Sequence, residues 1–380
     1  MNVVVEADVF RWFPDGGVAR TYREILPRMC DASSDLTIEI LAQDPVGGPL
    51  PYHSSIRRIS PVPVDSWLRP HRLWPRLSHQ ARRASFTAAV RGDRRRLWHS
   101  TFYTLPLCWG GPTLVSVYDM IHERFAALLV RRWHDQLRRQ KAQAVRSADR
   151  LICNSESTRA DVIDYYGIDP SAVVAIPLAC SDVFRVLDQQ DDAGEPNGLG
   201  EVLSPPFLLW VGGRDAYKDF ARFARAFSAW KGGANLRIVI VGSPLTRTEA
   251  ELLRSLALTE QVVSLTGVDD DALCRLYNRA AALVYPSVYE GFGIPLLEAM
   301  ACECPVVAAR IPTSIEVVGD CATLFEPANA EDLTRALETA LADGRGSDRV
   351  RRGRHRAARF SWDKNAADTV RVYEELTGKT

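Results

Sequence analysis

Short aliphatic and β-branched runs alternate with amphipathic stretches along nearly the whole chain, and this alternation limits the fold more than any other feature. In the first half Val3–Val5, Leu36–Leu41, Leu114–Tyr118, Leu151–Asn154 and Val173–Ile176 read as strands. In the second half Leu208–Val211, Ile238–Val241, Val262–Leu265, Leu283–Tyr285, Pro305–Ala308 and Ala322–Phe325 do the same. Stretches with helical spacing lie between most of them, among them Asp215–Trp230, Thr248–Leu256 and Asp270–Ala280. Apolar strands separated by helices are the pattern of parallel sheets covered on both faces. Two doubly wound α/β domains are the simplest architecture that satisfies it. Residues 186–206 are polar and rich in Gly and Pro, which is linker chemistry, and they separate a domain of 1–185 from one of 207–360. Phe360–Leu376 reads as a final amphipathic helix, with Ser361 suited to its N-cap.

A length of 380 residues exceeds what one hydrophobic core usually serves, in agreement with two domains. With 46% hydrophobic and 25% charged residues the chain is neither disordered, collagenous nor fibrous. No run approaches the roughly 18 apolar residues of a membrane span. The segment Met1–Asp8 lacks the basic start of a signal peptide and reads as a first strand, so the expected location is the cytosol. Eight cysteines are scattered with no Cys-x-x-Cys pair, which fits reduced, buried thiols and not a zinc site. Net charge is zero but uneven: residues 1–177 hold 24 Lys+Arg against 18 Asp+Glu, the remainder 23 against 29. The excess in the first half is almost all Arg and suggests an anionic partner for that half.

Ligands of doubly wound sheets sit where strands end and helices begin, so the turns carry the chemistry. In Glu290-Gly291-Phe292-Gly293-Ile294-Pro295-Leu-Leu-Glu298 a strand runs into a two-glycine turn, and Pro295 suits a first helical position. Such a turn aims backbone N–H groups at an oxyanion or hydroxyl, and each carboxylate accepts hydrogen bonds from a sugar diol without a metal. Taken alone, the Glu-x7-Glu spacing equally fits a tight turn with two solvated carboxylates. In Gly212-Gly213-Arg214-Asp-Ala-Tyr217-Lys218 an Arg and a Lys four apart can both reach a diphosphate, though alone they also fit a solvated helix start. Gly16-Gly17 precedes the helix Thr21–Arg28 and allows close approach of backbone to a ligand, or forms only a turn. A fourth turn, Tyr118-Asp119-Met-Ile-His122, follows the strand Leu114–Tyr118.

The Glu-Gly-Phe-Gly-x-Pro-x-x-Glu string resembles the donor-binding signature of the retaining nucleotide-sugar glycosyltransferases of family 4, which have the GT-B fold. The resemblance runs from about residue 2 to 376. It implies two Rossmann-like parallel-sheet domains facing a central cleft, with the last helix, 361–376, crossing back onto the N-terminal, acceptor-side domain. Arg214 and Lys218 resemble the family's Gly-x-x-Arg-x-x-x-Lys turn, which implies that they neutralise the leaving diphosphate. Asp219 stands where the family often has Asn, and is expected to affect a helix cap more than the chemistry. By the same resemblance Glu290 and the amides of Phe292 and Gly293 orient the sugar, and Ile294 belongs to the donor-binding turn. Glu298 holds the ribose, the backbone at Val268 and the turn at Gly213 touch the nucleotide, and Gly16-Gly17 lines the acceptor side and touches the diphosphate. Asp119 is carried over as catalytic. Tyr118 stands where the family commonly has His, and His122 lies nearby on the acceptor side. The two cations imply that no divalent metal or other cofactor is needed, and Asp269–Asp271 read as helix N-terminal acids.

Residues 61–100 hold nine Arg and two Asp, interleaved with Trp67, Leu68, Leu73, Trp74, Leu77, Phe86 and Trp98. Such a segment, 67–98, can lie on an anionic membrane, which would suit a lipid-linked saccharide acceptor, or can be a solvated helix and its flanks. No nucleic-acid module accompanies it. The resemblance of the Tyr217-Lys-Asp-Phe220 turn to mannosyltransferases implies GDP-mannose as donor and a surface glycan as product. A UDP-sugar donor is the alternative within the family, and a catalytically silent nucleotide-sugar-binding subunit the alternative outside catalysis. A nucleotide-sugar epimerase on the same fold fits the distant Arg/Lys pair less well.

Overall fold

The computed structural model describes residues 1–43, 46–62, 74–90, 96–129, 132–188 and 206–378. Among them, thirteen strands form two all-parallel sheets. The first contains β1 (Asn2–Glu6), β2 (Thr37–Leu41), β3 (Ile56–Ile59), β4 (Leu97–Ser100), β5 (Thr113–Val117), β6 (Arg150–Cys153) and β7 (Val173–Ala175), in the order β3-β2-β1-β4-β5-β6-β7. The second contains β8 (Phe207–Val211), β9 (Arg237–Val241), β10 (Val262–Leu265), β11 (Ala282–Tyr285), β12 (Val306–Ala309) and β13 (Thr323–Phe325), in the order β10-β9-β8-β11-β12-β13. Central strands lack polar alternation because helices cover both faces: Val3, Val4 and Val5 of β1 are all fully buried.

The chain divides into a unit of Met1–Leu178 with Ser361–Thr380 and a unit of Ala179–Phe360. The division falls at Leu178 rather than at 185 because the intervening residues pack in the second unit. The Phe184 ring meets Tyr277 edge-on at 5.8 Å. Asn278 clamps the next turn, donating to the Arg185 carbonyl (2.8 Å) and accepting the Leu187 N–H (3.0 Å). Of the linker read at 186–206, residues 189–205 lie outside the described residues.

In the first unit the helix Gly17–Ala32 buries Tyr22, Ile25, Leu26 and Met29, one face at helical spacing. The helix Trp362–Thr377 packs beside it. Ser361 accepts the Lys364 N–H (3.0 Å) as N-cap, and Asn365 donates to the Pro177 carbonyl (2.7 Å). In the second unit Phe220, Phe223 and Phe227 of the helix Phe220–Ala229 form the buried stripe, with Trp210 of β8 packed on the first two at 5.1 and 5.9 Å. Burying each such ring contributes about 2–3 kcal/mol.

Two strands escape a reading based on apolar runs. β3 is Ile-Arg-Arg-Ile, an edge strand with Arg57 paired to Glu39 of β2, and charge is what protects such an edge. β4, Leu-Trp-His-Ser, directly follows the arginine-rich stretch, which hides it. The structure also removes two of the anchors of the membrane reading. Phe86 and Trp98, two of the supposed anchors, are fully buried and pack together at 6.4 Å in the core. Three of the arginines face inward: Arg82 pairs with Asp8, Arg96 with Glu39, and Arg83 donates to the Leu105 carbonyl at 2.7 Å. The remaining anchors and Arg69, Arg72, Arg76, Arg91, Arg94 and Arg95 lie outside the described side chains. No helix among the described residues is long and apolar enough to cross a membrane.

Candidate active site

A doubly wound sheet binds ligands beyond the carboxyl ends of the neighbouring strands from which the chain winds in opposite directions. In the second unit these are β8 and β11, and the two richest turns of the sequence follow them. After β8, Gly212 (φ +112°) turns the chain and a short 3₁₀ turn at Ala216–Lys218 presents Lys218. After β11, Glu290 precedes Gly293 (φ +107°), whose left-handed backbone caps the helix Ile294–Ala301. A Cβ on Gly293 would meet Leu296 Cδ1 at 3.0 Å, so the turn needs glycine for space as well as for angle.

The structure joins the two turns through one ion pair: Lys218 Nζ donates to Glu290 Oε1 at 2.6 Å. The ammonium also lies 5.7 Å from the centre of the Tyr285 ring and 5.5 Å from that of Tyr217. The Tyr285 hydroxyl hydrogen-bonds to Glu290, and burial together with that carboxylate pushes its pKa well up, so it stays a neutral donor. The Glu290 carbonyl is held by Thr313 Oγ1 (2.8 Å), and the Val288 N–H reaches the Tyr217 carbonyl (2.8 Å), tying turn to turn through backbone. Glu290 is therefore a mostly buried, oriented carboxylate and not a solvated one.

Arg214 is nearly buried and held by Glu249, by Nε to Oε1 at 2.8 Å and Nη2 to Oε2 at 3.3 Å. Gly213 precedes it, and its carbonyl accepts the Trp210 indole N–H (3.3 Å). Glu298 lies in the helix Ile294–Ala301, only 4% exposed, and accepts the Tyr277 hydroxyl at 2.9 Å. The Phe292 side chain packs edge-on against Phe360 at 5.9 Å, which leaves its backbone as its contribution to the turn. Ile294 opens the helix and is half-buried. Val268 follows Gly267 (φ +66°) beyond β10, and Asp269 caps the next helix by accepting the Ala272 N–H at 2.8 Å. Asp219 does not act as a side-chain cap: its φ of +59° turns the chain into the helix, and its carboxylate pairs with Arg222 (2.6 Å).

In the first unit Gly16 (φ −80°) caps the helix Gly17–Ala32; a Cβ on it would meet the Phe13 carbonyl oxygen at 3.2 Å, whereas a Cβ on Gly17 would meet nothing within 4 Å, so Gly17 faces open space. Asp119 Oδ1 accepts the Ile121 N–H at 3.0 Å, and its carbonyl accepts Lys141 Nζ. Lys141 pairs with Glu123 at 2.8 Å with both side chains buried, and the Tyr166 hydroxyl donates to the other Glu123 oxygen at 2.8 Å. Tyr118 hydrogen-bonds with the Tyr22 and Ser116 hydroxyls, and burial raises its pKa well above the usual phenol value. Burial lowers the pKa of His122, which packs 5.2 Å from the His134 ring. Among the described residues no group of three or more His, Cys, Asp or Glu is placed to hold a metal ion.

Several partners were not picked out from the sequence. Glu249 is legible only as the end of a Thr246-x-x-Glu249 capping box. Tyr277 and Lys141 give no local signal, since each meets its carboxylate across separate elements, and Tyr285, five residues before Glu290 at the end of β11, reads only as a strand residue.

The description "Glycosyltransferase Family 4" matches residues 15–180, and "Glycosyl transferases group 1" matches residues 193–359. The MMP alpha-(1->4)-mannosyltransferase of Mycolicibacterium hassiacum is 32% identical over 258 residues, 66% of this chain and 60% of that protein. The O-antigen chain mannosyltransferase B of Escherichia coli is 26% identical over 248 residues, 62% of each chain. The match thus spans about three fifths of the length of these relatives. Among solved structures, sucrose-phosphate synthase from Thermosynechococcus elongatus superposes with a TM-score of 0.76 at 18% identity, covering 100% of both chains. That likeness shows the fold, GT-B, which the two parallel-sheet units share.

Proposed function

Because the chain belongs to glycosyltransferase family 4, we propose that it moves a hexose from a nucleotide diphosphate sugar onto a saccharide acceptor, with retention at the anomeric carbon. The observation that carries this reading is the 2.6 Å Lys218–Glu290 pair, which sets a cation and an oriented carboxylate side by side where the winding of the second sheet reverses. There the diphosphate lies against Lys218 and Arg214, and the N-terminus of the helix after Gly293 adds its dipole. As the bond from the anomeric carbon to the diphosphate oxygen breaks, negative charge grows on the leaving group. Fixed cations stabilise that charge more than the charge of the ground state. The acceptor oxygen bonds to the same face of that carbon, and its proton leaves to a diphosphate oxygen.

Glu290, backed by Tyr285, accepts hydrogen bonds from sugar hydroxyls. Glu298, backed by Tyr277, accepts from the ribose diol, and the backbone at Val268 meets the base. We assign Asp119 a positioning role, since one of its carboxylate oxygens accepts the Ile121 N–H. Two cations take the place of a divalent metal in this scheme. Two mannosyltransferases among the similar proteins favour mannose as the sugar; GDP-mannose is the donor and a lipid-linked glycan precursor the acceptor class we expect.

Calorimetric titration of the whole chain with GDP, UDP, ADP and dTDP, each with and without EDTA, tests the reading. Tight GDP binding indifferent to EDTA supports it in full. Tight UDP binding moves the donor to a UDP-sugar, and dependence on a metal overturns the metal-free scheme. No binding by any nucleotide overturns the donor site assigned here.

A further inference from the structure

In the first sheet the winding reverses between β1 and β4, and two exposed aromatic rings, Trp12 and Phe13, and the half-buried Phe102 stand at that point. Phe13 lies beyond β1, just after the short helix Val9–Trp12, and Phe102 lies two residues beyond β4. Their ring centres are 5.3 Å apart and their planes tilted by 54°. Phe13 is 44% exposed and Trp12 48%, while the large aromatic side chains of the neighbouring strands are in the core. We infer that Trp12, Phe13 and Phe102 form a stacking platform for a pyranose ring of the saccharide acceptor. The inference deepens the glycosyltransferase reading and takes the existence of an acceptor from it.

The loops that carry the platform are held from beneath by two buried carboxyl groups. Glu6 Oε2 accepts the N–H groups of Thr101 (3.2 Å) and Phe102 (3.1 Å) and the Ser100 hydroxyl (3.1 Å). Asp8, two residues on, accepts from Arg82 and from the Thr104 hydroxyl (3.1 Å). Glu6 is 0% exposed and Asp8 2%. Arg82 then lies 5.3 Å from the centre of the Trp12 ring, so the same network fixes that side chain. Between Phe102 and Thr104, Tyr103 adopts φ +62°, a left-handed backbone unfavourable for a residue with a side chain. Buried carboxyl groups and a left-handed tyrosine are both costly. Here their effect is to hold the half-buried Phe102 ring, 5.6 Å from the buried Tyr103 ring, against the exposed Phe13 ring, which prepares a surface for a ligand.

The chemistry of the surface selects the occupant. A pyranose presents a face of C–H groups and a rim of hydroxyls. Two tilted phenyl rings meet the C–H face, while exposed Asp15, two residues after Phe13, offers an acceptor to the rim. The platform is small and lies beside charged groups, which suits one or two sugar rings better than a lipid surface.

The test is saturation-transfer NMR on the whole protein with methyl α-D-mannopyranoside, methyl β-D-glucopyranoside and methyl β-D-galactopyranoside, with acyclic mannitol as control. At least one pyranoside is expected to receive saturation on its C–H face and mannitol none. Phe13→Ala and Phe102→Leu should each weaken pyranoside binding by about threefold or more, and GDP and UDP titrations on the same samples should not change. Phe13→Leu, which keeps an apolar side chain, guards against loss of folding and should lose the same signal. Pyranoside binding unaltered by these variants, or absent at all three sugars, overturns the platform. So does a Trp12 signal, identified with Trp12→Phe, that responds to phosphatidylglycerol vesicles and to no sugar. If nucleotides bind and sugars do not, the platform falls and the transferase reading stands. If sugars bind at Phe13 and no nucleotide binds, the reverse holds.

Discussion

Arg214 and Glu249 meet as a fork, with Nε 2.8 Å from Oε1 and Nη2 3.3 Å from Oε2. Nη2 also reaches the carbonyls of Ser243 and Pro244, both at 2.8 Å, while Nη1 is buried with no hydrogen-bond partner. Glu249 Oε2 further accepts the Thr246 N–H (2.6 Å), so the N-terminus of the helix Arg247–Ser255 sets the direction of the guanidinium. In Glu249→Gln the charge that fixes Arg214 is gone. Affinity for a nucleoside diphosphate should fall about tenfold while affinity for the bare nucleoside is unchanged. Calorimetry with the two ligands checks this, and an equal loss for both would indicate a general loosening of the unit instead.

Glu290 takes one bond from Lys218 and one from Tyr285. Replacing it with Ala should abolish transfer and largely spare nucleotide affinity, because the lost interactions belong to the sugar. Tyr285→Phe removes only the hydroxyl that orients the carboxylate, and kcat should fall about tenfold with KM for the donor little altered. Steady-state kinetics with the donor identified by titration separate the two parameters. Full activity in Glu290→Ala would show that the sugar is held elsewhere.

The Tyr277–Glu298 bond of 2.9 Å backs a carboxylate assigned to the ribose. The wild-type protein should therefore prefer GDP to 2′-deoxy-GDP, or UDP to 2′-deoxy-UDP, by about tenfold. Glu298→Gln should erase most of that preference. Tyr277→Phe should weaken it and also destabilise the second unit by about 1–3 kcal/mol, since a buried acceptor loses its donor. A ribose preference that survives Glu298→Gln would remove this residue from the site.

Glu6 is pushed up from 4.5 to about 8, chiefly by burial and then by the neighbouring charge of Asp8, against the lowering pull of the Asp8 and Phe102 N–H groups and of Arg82. The folded chain thus holds a proton that the unfolded chain has released. Where the native state binds more protons than the unfolded state, stability falls as pH rises. This contribution is fully present below about pH 4.5 and is lost towards about pH 8. Urea midpoints of wild type and Glu6→Gln across that range should show the wild type declining relative to the variant. Parallel curves would mean that Glu6 titrates normally.

The two-sheet architecture was legible because it is written in local pattern. Short β-branched apolar runs such as Val3–Val5 and Ile238–Val241 read as strands covered on both faces, and the helical spacing between such runs points to parallel winding. The turn after β11 was legible for a similar reason: Gly293 and Pro295 leave few backbone paths, and those paths place Glu290 and Glu298 near a strand end. β4 was not legible, since its four residues follow a run of arginines whose partners are distant carboxylates such as Glu39. Phe102, two residues beyond β4, gives no local signal for the same reason, whereas the Gly16-Gly17 turn after β1 was legible from its glycines.

The sequence by itself determined the strands, the helix starts and the side chains present at each turn, because propensity, capping and glycine freedom act over a few residues. Only the tertiary structure decided which charge meets which. Lys218 and Glu290 are 72 residues apart in the chain, Arg214 and Glu249 35 apart, and Glu6 and Phe102 96 apart. No local spacing encodes those pairs, since they depend on strand order. The order is set by which apolar faces bury best together. Once β8 lies beside β11 and β1 beside β4, turns far apart in sequence come side by side, and burial makes each pairing matter.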